Sequence, residues 1–418
     1  MKKHPKENPM KPLNILIKTL IGWPFLRSSF TLIALALICA AATPKAFGVV
    51  PAPDGGYPGG NTAEGQNALF SLTTGTYNTA VGLFSLRSNT EGRFSTAVGA
   101  GALLANTANE NTATGAGALL SNSTGFGNTA NGAFALFGNT EGSGNTATGI
   151  SALFSNTVGS DNTANGTFAL LNNIEGSSNT AVGRDALLSN TAHNNTAIGR
   201  SALGSNTIGT QNTASGVGAL ENNTTGSYNT ATGLGALFSN TTADNNTAIG
   251  INTLLFNTGS LNTACGGNAL LNNTFGDSNT AIGFNALYNN NGPANVALGA
   301  GAGYNATTGS GNVYIGAGTV GVAGESNSTY ITGIYDGAID PDSFFIGVDV
   351  NNKLGDHVAS GPRLRIKDVV EDHKKIAELE ATVGALTTQF KEQAAQIEKA
   401  SAQLEIAKPA AALVGNNP

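Results

Sequence analysis

Charge and aromatic rings are scarce in this sequence. Of its 418 residues 11% are charged and 6% aromatic, with one Trp and two Cys. So few large side chains cannot build a thick globular core, although they can build a thin one if every turn of chain stacks on the next. Between Asn61 and Gly316 the only basic residues are Arg87, Arg93, Arg184 and Arg200, and there is no Lys. A nucleic-acid partner needs a basic stripe that displaces counterions from phosphates, so that function is excluded. Cys39 lies in a segment expected to be removed, which leaves Cys265 without a disulfide partner and excludes a Cys-cluster metal site. The four His residues, His4, His193, His357 and His373, have no Ser, Cys or acidic partner at a catalytic spacing. Calcium-binding solenoids place Asp at a fixed position in each turn, whereas Asp161, Asp185, Asp244 and Asp277 fall irregularly. The paired Thr of ice-binding ladders occur at Thr112-Ala113-Thr114, Thr146-Ala147-Thr148 and Thr230-Ala231-Thr232, which are not on adjacent coils. The sequence therefore yields no catalytic residue, no cofactor-binding residue, no metal ligand and no cofactor, and enzyme activity is not expected.

What the chain has in abundance is Gly (56 residues), Asn, Thr and Ala, and these repeat. Asn-Thr-Ala or a close variant starts at residues 61, 78, 95, 111, 128, 145, 162, 179, 195, 212, 229, 246, 262, 279, 295 and 312. Of the fifteen gaps, eleven are 17 residues and four are 16. The commonest unit reads N-T-A-x-G-x-x-A-L-x-x-N-T-x-G-x-x, and such regularity over sixteen units predicts a parallel β-solenoid, or β-roll, of 16–17-residue coils. Four residues after each anchor stands a Gly: Gly65, Gly82, Gly99, Gly115, Gly132, Gly149, Gly166, Gly183, Gly199, Gly216, Gly233, Gly250, Gly266, Gly283, Gly299 and Gly316. These are read as structural turn glycines, at a corner where positive φ or close backbone approach excludes a Cβ. A second Gly near the end of most units marks another turn. Two corners per coil then leave two short strands, a flattened two-sided solenoid.

Stacked coils place identical residues one above another at about 4.8 Å. Asn suits such a stack, because its amide can donate to one neighbour and accept from the other. Thr suits it by β-branching and by its hydroxyl. Eight residues past the anchor stands Leu in fourteen of sixteen units, among them Leu69, Leu103, Leu136 and Leu220, expected to fill the interior. The next position is also usually large and apolar, as in Phe70, Leu104, Phe137, Phe154 and Tyr288. If both lie on one strand, alternation turns one stripe outward, and an outward apolar stripe calls for a partner. The alternative is a turn that buries both.

The flanks differ in kind. Lys2, Lys3, Lys6, Lys11, Lys18 and Arg27 precede the apolar run FTLIALALICAAA at 30–42, with small residues after it. This is the pattern of a signal peptide, since the run is short of the roughly 20 residues of a membrane span. Residues 1–46 are therefore read as a signal peptide and 47–60 as a linker, with an uncleaved anchor as the alternative; the chain is expected to be secreted or held at the cell surface. The repeat domain is 61–316, and 317–362 is a cap or transition segment containing the strand-like runs 329–331 and 344–348. From 363 to 408 apolar residues fall in heptads at Val369, Ile376, Leu379, Val383, Leu386, Phe390, Ile397 and Leu404, the a/d seam of a coiled coil. A lone amphipathic helix folding back on the solenoid is the alternative. Pro409 ends the helix, and 409–418 is read as a disordered tail.

The units NTAVG (179–183), NTAIG (195–199, 246–250, 279–283) and STAVG (95–99) resemble the head repeats of trimeric autotransporter adhesins of the YadA type. The resemblance covers residues 61 to 316 and the head-then-helix layout. It implies a left-handed parallel β-roll, a homotrimer, a coiled-coil stalk and a surface-exposed head that binds a host, matrix or glycan ligand not identified by these residues. The sequence departs from that family in ending on a helix and VGNNP rather than on membrane-spanning β-strands, which leaves its anchoring open. The segments VGLFSL (81–86) and IGRSAL (198–203) also match the hexapeptides of left-handed-helix acyltransferases, but only one third of each coil does. A pure spacer or surface-layer component is the alternative to an adhesin-like fibre.

Overall fold

The computed structural model describes residues 57–332, 347–348, 354–355 and 366–406. The expected signal peptide, residues 47–56 of the linker, most of 333–362 and the 409–418 tail lie outside the described residues. The described residues belong to two units, divided after Thr332.

The first unit is a parallel β-solenoid of about sixteen coils. Its strands, β1 (Thr62–Glu64) to β17 (Thr329–Ile331), are three residues long, and each pairs in parallel with the one a coil away. Register follows the sequence repeat, with Thr79 opposite Thr96 and Ala80 opposite Ala97. The steps make a sheet about 77 Å long. Each strand is the Thr-Ala-x that follows the anchor, so the middle residue points inward and its neighbours outward. Ala80, Ala97, Ala113 and their successors are fully buried. Near the end Tyr314 takes the Ala position, stacked on Tyr330 at 5.7 Å, and widens the core.

Each coil has one strand, not the two expected from its two corners. The opposite wall is a stack of turns, joined coil to coil by backbone hydrogen bonds outside any strand ladder, such as Leu86 N–H to Ala102 O (3.0 Å) and Leu119 N–H to Ala135 O (2.9 Å). The cause is backbone handedness. From Leu69 to Leu287 the interior Leu has φ between 48° and 53°, a left-handed conformation in all fourteen copies. That conformation costs a residue with a Cβ about 1–2 kcal/mol, and burying the Leu side chain returns about 2 kcal/mol. It turns the Leu into the coil, where thirteen of the fourteen are fully buried. Alternation along a strand therefore does not govern the following residue: Leu104, Phe154 and Leu188 are half-buried, Phe137 is buried, and Phe70 is 68% exposed.

The sixteen turn glycines have φ between 112° and 146°, outside the range open to other residues. A Cβ on Gly149 would also sit 2.7 Å from the carbonyl of Gly166 in the next coil. The second glycines are constrained by proximity: a Cβ on Gly142 would meet Gly159 O at 2.3 Å.

Two columns of fully buried Asn close the third side. The anchor column runs from Asn61 to Asn312 with Ser95 as its one interruption, and the second column runs from Asn89 to Asn290. In the anchor column the Oδ1 of each Asn accepts from the backbone N–H of the next, as Asn128 Oδ1 does from Asn145 N–H at 2.9 Å, while Nδ2 closes its own coil on the glycine carbonyl, Asn145 to Gly159 at 2.9 Å. In the second column Nδ2 donates to the Oδ1 before it, Asn139 to Asn122 at 2.7 Å. A buried amide is tolerable only when its groups are paired, and a column of identical amides pairs them by translation.

In the second unit Gly347–Val348 (β18) pairs antiparallel with Leu354–Gly355 (β19), and Ile366–Ile406 forms helix α1 of 41 residues, about 62 Å. Among the described residues no helix is long and apolar enough to cross a membrane.

Candidate interaction surfaces

The sheet exposes two rows of side chains, one on each side of the buried Ala. The first is Thr in every coil from Thr62 to Thr280, then Val296 and Val313; the second includes Val81, Val98, Asn131, Ile198, Ile249, Cys265, Ile282 and Leu298. From Thr79 to Ile331 neither row carries Asp, Glu, Lys or Arg. Val81, Ile198, Ile249 and Ile282 are 37–46% exposed. The face is thus long, uncharged and regular. Its character changes along its length, since Val296, Leu298, Val313 and Ile315 make it wholly apolar near its C-terminal end.

The turn wall carries the half-buried apolar column that follows the interior Leu. Its aromatic members stack, Phe137 on Phe154 at 5.1 Å and Tyr288 on Tyr304 at 5.2 Å. The column breaks at Arg87, Gly204 and Glu221, and elsewhere on the solenoid Arg184 Nε lies 3.1 Å from Asp185 Oδ2. An exposed pair, Tyr77 and Phe94, stacks at 5.3 Å near the N-terminal end. At that end a cavity of about 510 Å³ opens among Tyr57, Leu69, Phe70 and Leu72.

At the other end polar groups close the anchor column. Asn312 Nδ2 donates to Glu325 O at 2.7 Å, Ser328 N–H donates to Asn312 Oδ1 at 2.9 Å, and the Ser328 and Tyr330 hydroxyls donate to the Glu325 carboxylate. Those two bonds hold the Glu325 carboxyl below the usual carboxylate range. The same bond to Glu325 raises Tyr330, and burial followed by the Glu325 charge raises Tyr314.

His193 is an exposed turn residue whose Nδ1 accepts the Ser177 N–H at 3.0 Å, and Cys265 is a free, exposed thiol on the sheet. Among the described residues no three His, Cys, Asp or Glu side chains converge as metal ligands. On α1 the predicted seam residues Ile376, Leu379, Val383, Leu386, Phe390 and Ile397 are 48–68% exposed. Val369 and Leu404 lie on the same helix, with side chains outside the described set. Among the described residues α1 has no partner helix, and its seam is an uncovered apolar stripe along it.

Sequence reasoning identified the Asn columns and the turn glycines but not the left-handed Leu, whose only trace is its recurrence in fourteen of sixteen units beside a variable neighbour. Compared with known protein families, curated proteins and solved structures, the chain matches none of them.

Proposed function

We propose that this protein is an exported, non-catalytic surface fibre. Its solenoid is an adhesin-like head, and its helix associates with copies of itself in a coiled coil, a homotrimer by the likeness to YadA-type heads. The observation that carries this reading is the exposed seam on α1: six large apolar side chains, 48–68% exposed, spaced in heptads along one helix. Such a stripe is stable in water when another copy covers it. The apolar end of the sheet face, from Val296 to Ile315, offers a second contact between copies. Export rests on the basic leader and the short apolar run at 30–42. Binding of a host, matrix or glycan ligand rests on the family likeness alone.

The test is the mass in solution of residues 47–418 by sedimentation equilibrium, beside a variant with Leu379→Ser and Leu386→Ser. A trimer that dissociates in the variant supports the fibre, and a monomeric parent chain refutes it. A spacer without a receptor is the second reading, favoured by the sameness of successive coils. Saturable binding in a glycan or matrix screen would eliminate the spacer.

A further inference from the structure

Four coils within the paired Asn columns are one residue short, those starting at Ser95, Asn179, Asn246 and Asn279. The missing residue always falls between the second Asn and the next anchor: Asn106 and Asn111 are five apart, where Asn122 and Asn128 are six. The shortening alters the hydrogen bonds in a consistent way.

In the 17-residue coils the second Asn donates to its predecessor's Oδ1 at 2.7–3.0 Å. In the short coils that bond stretches to 3.2 Å at Asn190 and 3.3 Å at Asn257. Asn106 and Asn290 do not make it, and keep only the bond to the turn carbonyl, of Ala108 and Gly292, that every Asn of this column makes. The buried Oδ1 atoms they abandon, on Asn89 and Asn273, have no partner. At each short coil the next anchor leans across to the second Asn, as Asn111 to Asn106, Asn195 to Asn190, Asn262 to Asn257 and Asn295 to Asn290, at 3.0–3.3 Å.

The main chain loses contact at the same junctions. Where one 17-residue coil follows another, two or three successive turn N–H groups converge on one carbonyl, as Ser123, Thr124 and Gly125 do on Thr140 O, and after a short coil one or two do, as Thr107 alone does on Ser123 O. Ahead of the short coils, the N–H groups of Thr90, Ile174 and Thr241 find no such carbonyl. At the fourth junction the Asn291 side chain substitutes, with its Oδ1 accepting from Thr274 N–H at 2.6 Å and from the Thr274 hydroxyl at 2.8 Å. The sheet side continues through unbroken, with Thr79 opposite Thr96 and Thr163 opposite Thr180.

We infer that the junctions 94/95, 178/179, 245/246 and 278/279 are built-in seams, at which the solenoid opens on its Asn side while its sheet side serves as the hinge. They divide the stack into blocks that open as units. Neighbour-to-neighbour coupling sets the stability of a repeat array, and a defect shared by side-chain column and backbone lowers that coupling at one interface. Opening then begins there rather than uniformly along the stack.

Hydrogen exchange of the full chain under native conditions tests this, read at amides whose own bonds are alike. Leu86 and Ser88 donate across the first seam to Ala102 and Leu104, both at 3.0 Å, while Leu119 and Ser121 donate within a block to Ala135 and Phe137, at 2.9 and 3.1 Å. Leu86 and Ser88 are expected to exchange about tenfold faster, the equivalent of one net hydrogen bond. One Gly inserted between Ala108 and Asn109 restores a 17-residue coil and is expected to remove that difference. Deleting Ser160 creates a new short coil and is expected to speed exchange at Leu136 and Gly138 by a similar factor. Equal protection of both amide sets in the unaltered chain overturns the inference. So does a Ser160 deletion that leaves Leu136 and Gly138 as protected as before.

Discussion

Replacing Asn156 by Ala tests what holds the coils together. Its Nδ2 donates to Asn139 Oδ1 at 2.7 Å and to Gly159 O at 2.8 Å, and its Oδ1 accepts from Asn173 Nδ2 at 3.0 Å. All three partners are shielded from water. The substitution strands the Asn139 oxygen and removes one bond to Gly159 O, whereas Asn173 keeps its bond to Gly176 at 2.8 Å. A buried polar group left unpaired costs about 1–3 kcal/mol and a lost hydrogen bond about 0.5–1.5 kcal/mol; Gly159 O keeps its bond from Asn145, so the one stranded oxygen and the one lost bond predict a loss of about 2–4 kcal/mol. Asn156→Asp should cost at least as much, because an acceptor then faces two acceptors and the charge is buried. The control is Thr163→Val, an exposed strand residue, with an expected change below about 0.5 kcal/mol. Urea denaturation followed by circular dichroism gives the stabilities, and hydrogen exchange locates the loss in the coils that contain Asn139, Asn156 and Asn173. If Asn156→Ala costs less than about 1 kcal/mol, the Asn column is not what binds coil to coil, and the reasoning fails. The chain itself offers a comparison: Leu72 and Ala306 occupy the second-Asn position at the two ends, where one neighbouring Asn is missing.

Two further expectations concern the turns and the closing coil. Gly149→Ala should cost about 3 kcal/mol or more by urea denaturation, since it combines a forbidden φ of 126° with a Cβ 2.7 Å from the next carbonyl; Gly301→Ala, with φ at 68° and open space around the new carbon, should cost about 1 kcal/mol. The closing coil should loosen at both ends of the pH scale. The lowered Glu325 contributes stability above its unfolded pKa that is lost as pH falls through the folded value, and the raised Tyr314 and Tyr330 contribute stability below the ordinary value near 10 that is lost as pH rises through theirs. Near-ultraviolet circular dichroism of the stacked tyrosines follows both limbs. Glu325→Gln should remove the acid one, and its persistence would mean that another group carries it.

Much of the architecture was legible because a solenoid is nearly one-dimensional. A coil can stack on a copy of itself only if the same residue types return at the same steps, so the spacing of Asn-Thr-Ala and Gly already determined the coil length, the parallel stacking and the buried amide columns. Heptad spacing likewise determined the helix from 366 to 406. A repeat cannot reveal how each coil is bent, because left-handed and extended backbones are compatible with the same apolar letter. Leu153, at φ 53°, reads like any strand Leu, and only the folded chain places it in a turn with a half-buried Phe154 beside it. That difference turned two expected strands into one strand and a wall of turns. The short coils show the same division. Their length is written in the sequence, but that the missing residue strands the oxygens of Asn89 and Asn273 was decided by the third dimension, because a hydrogen bond between coils depends on where two turns meet and not on the residues within either one.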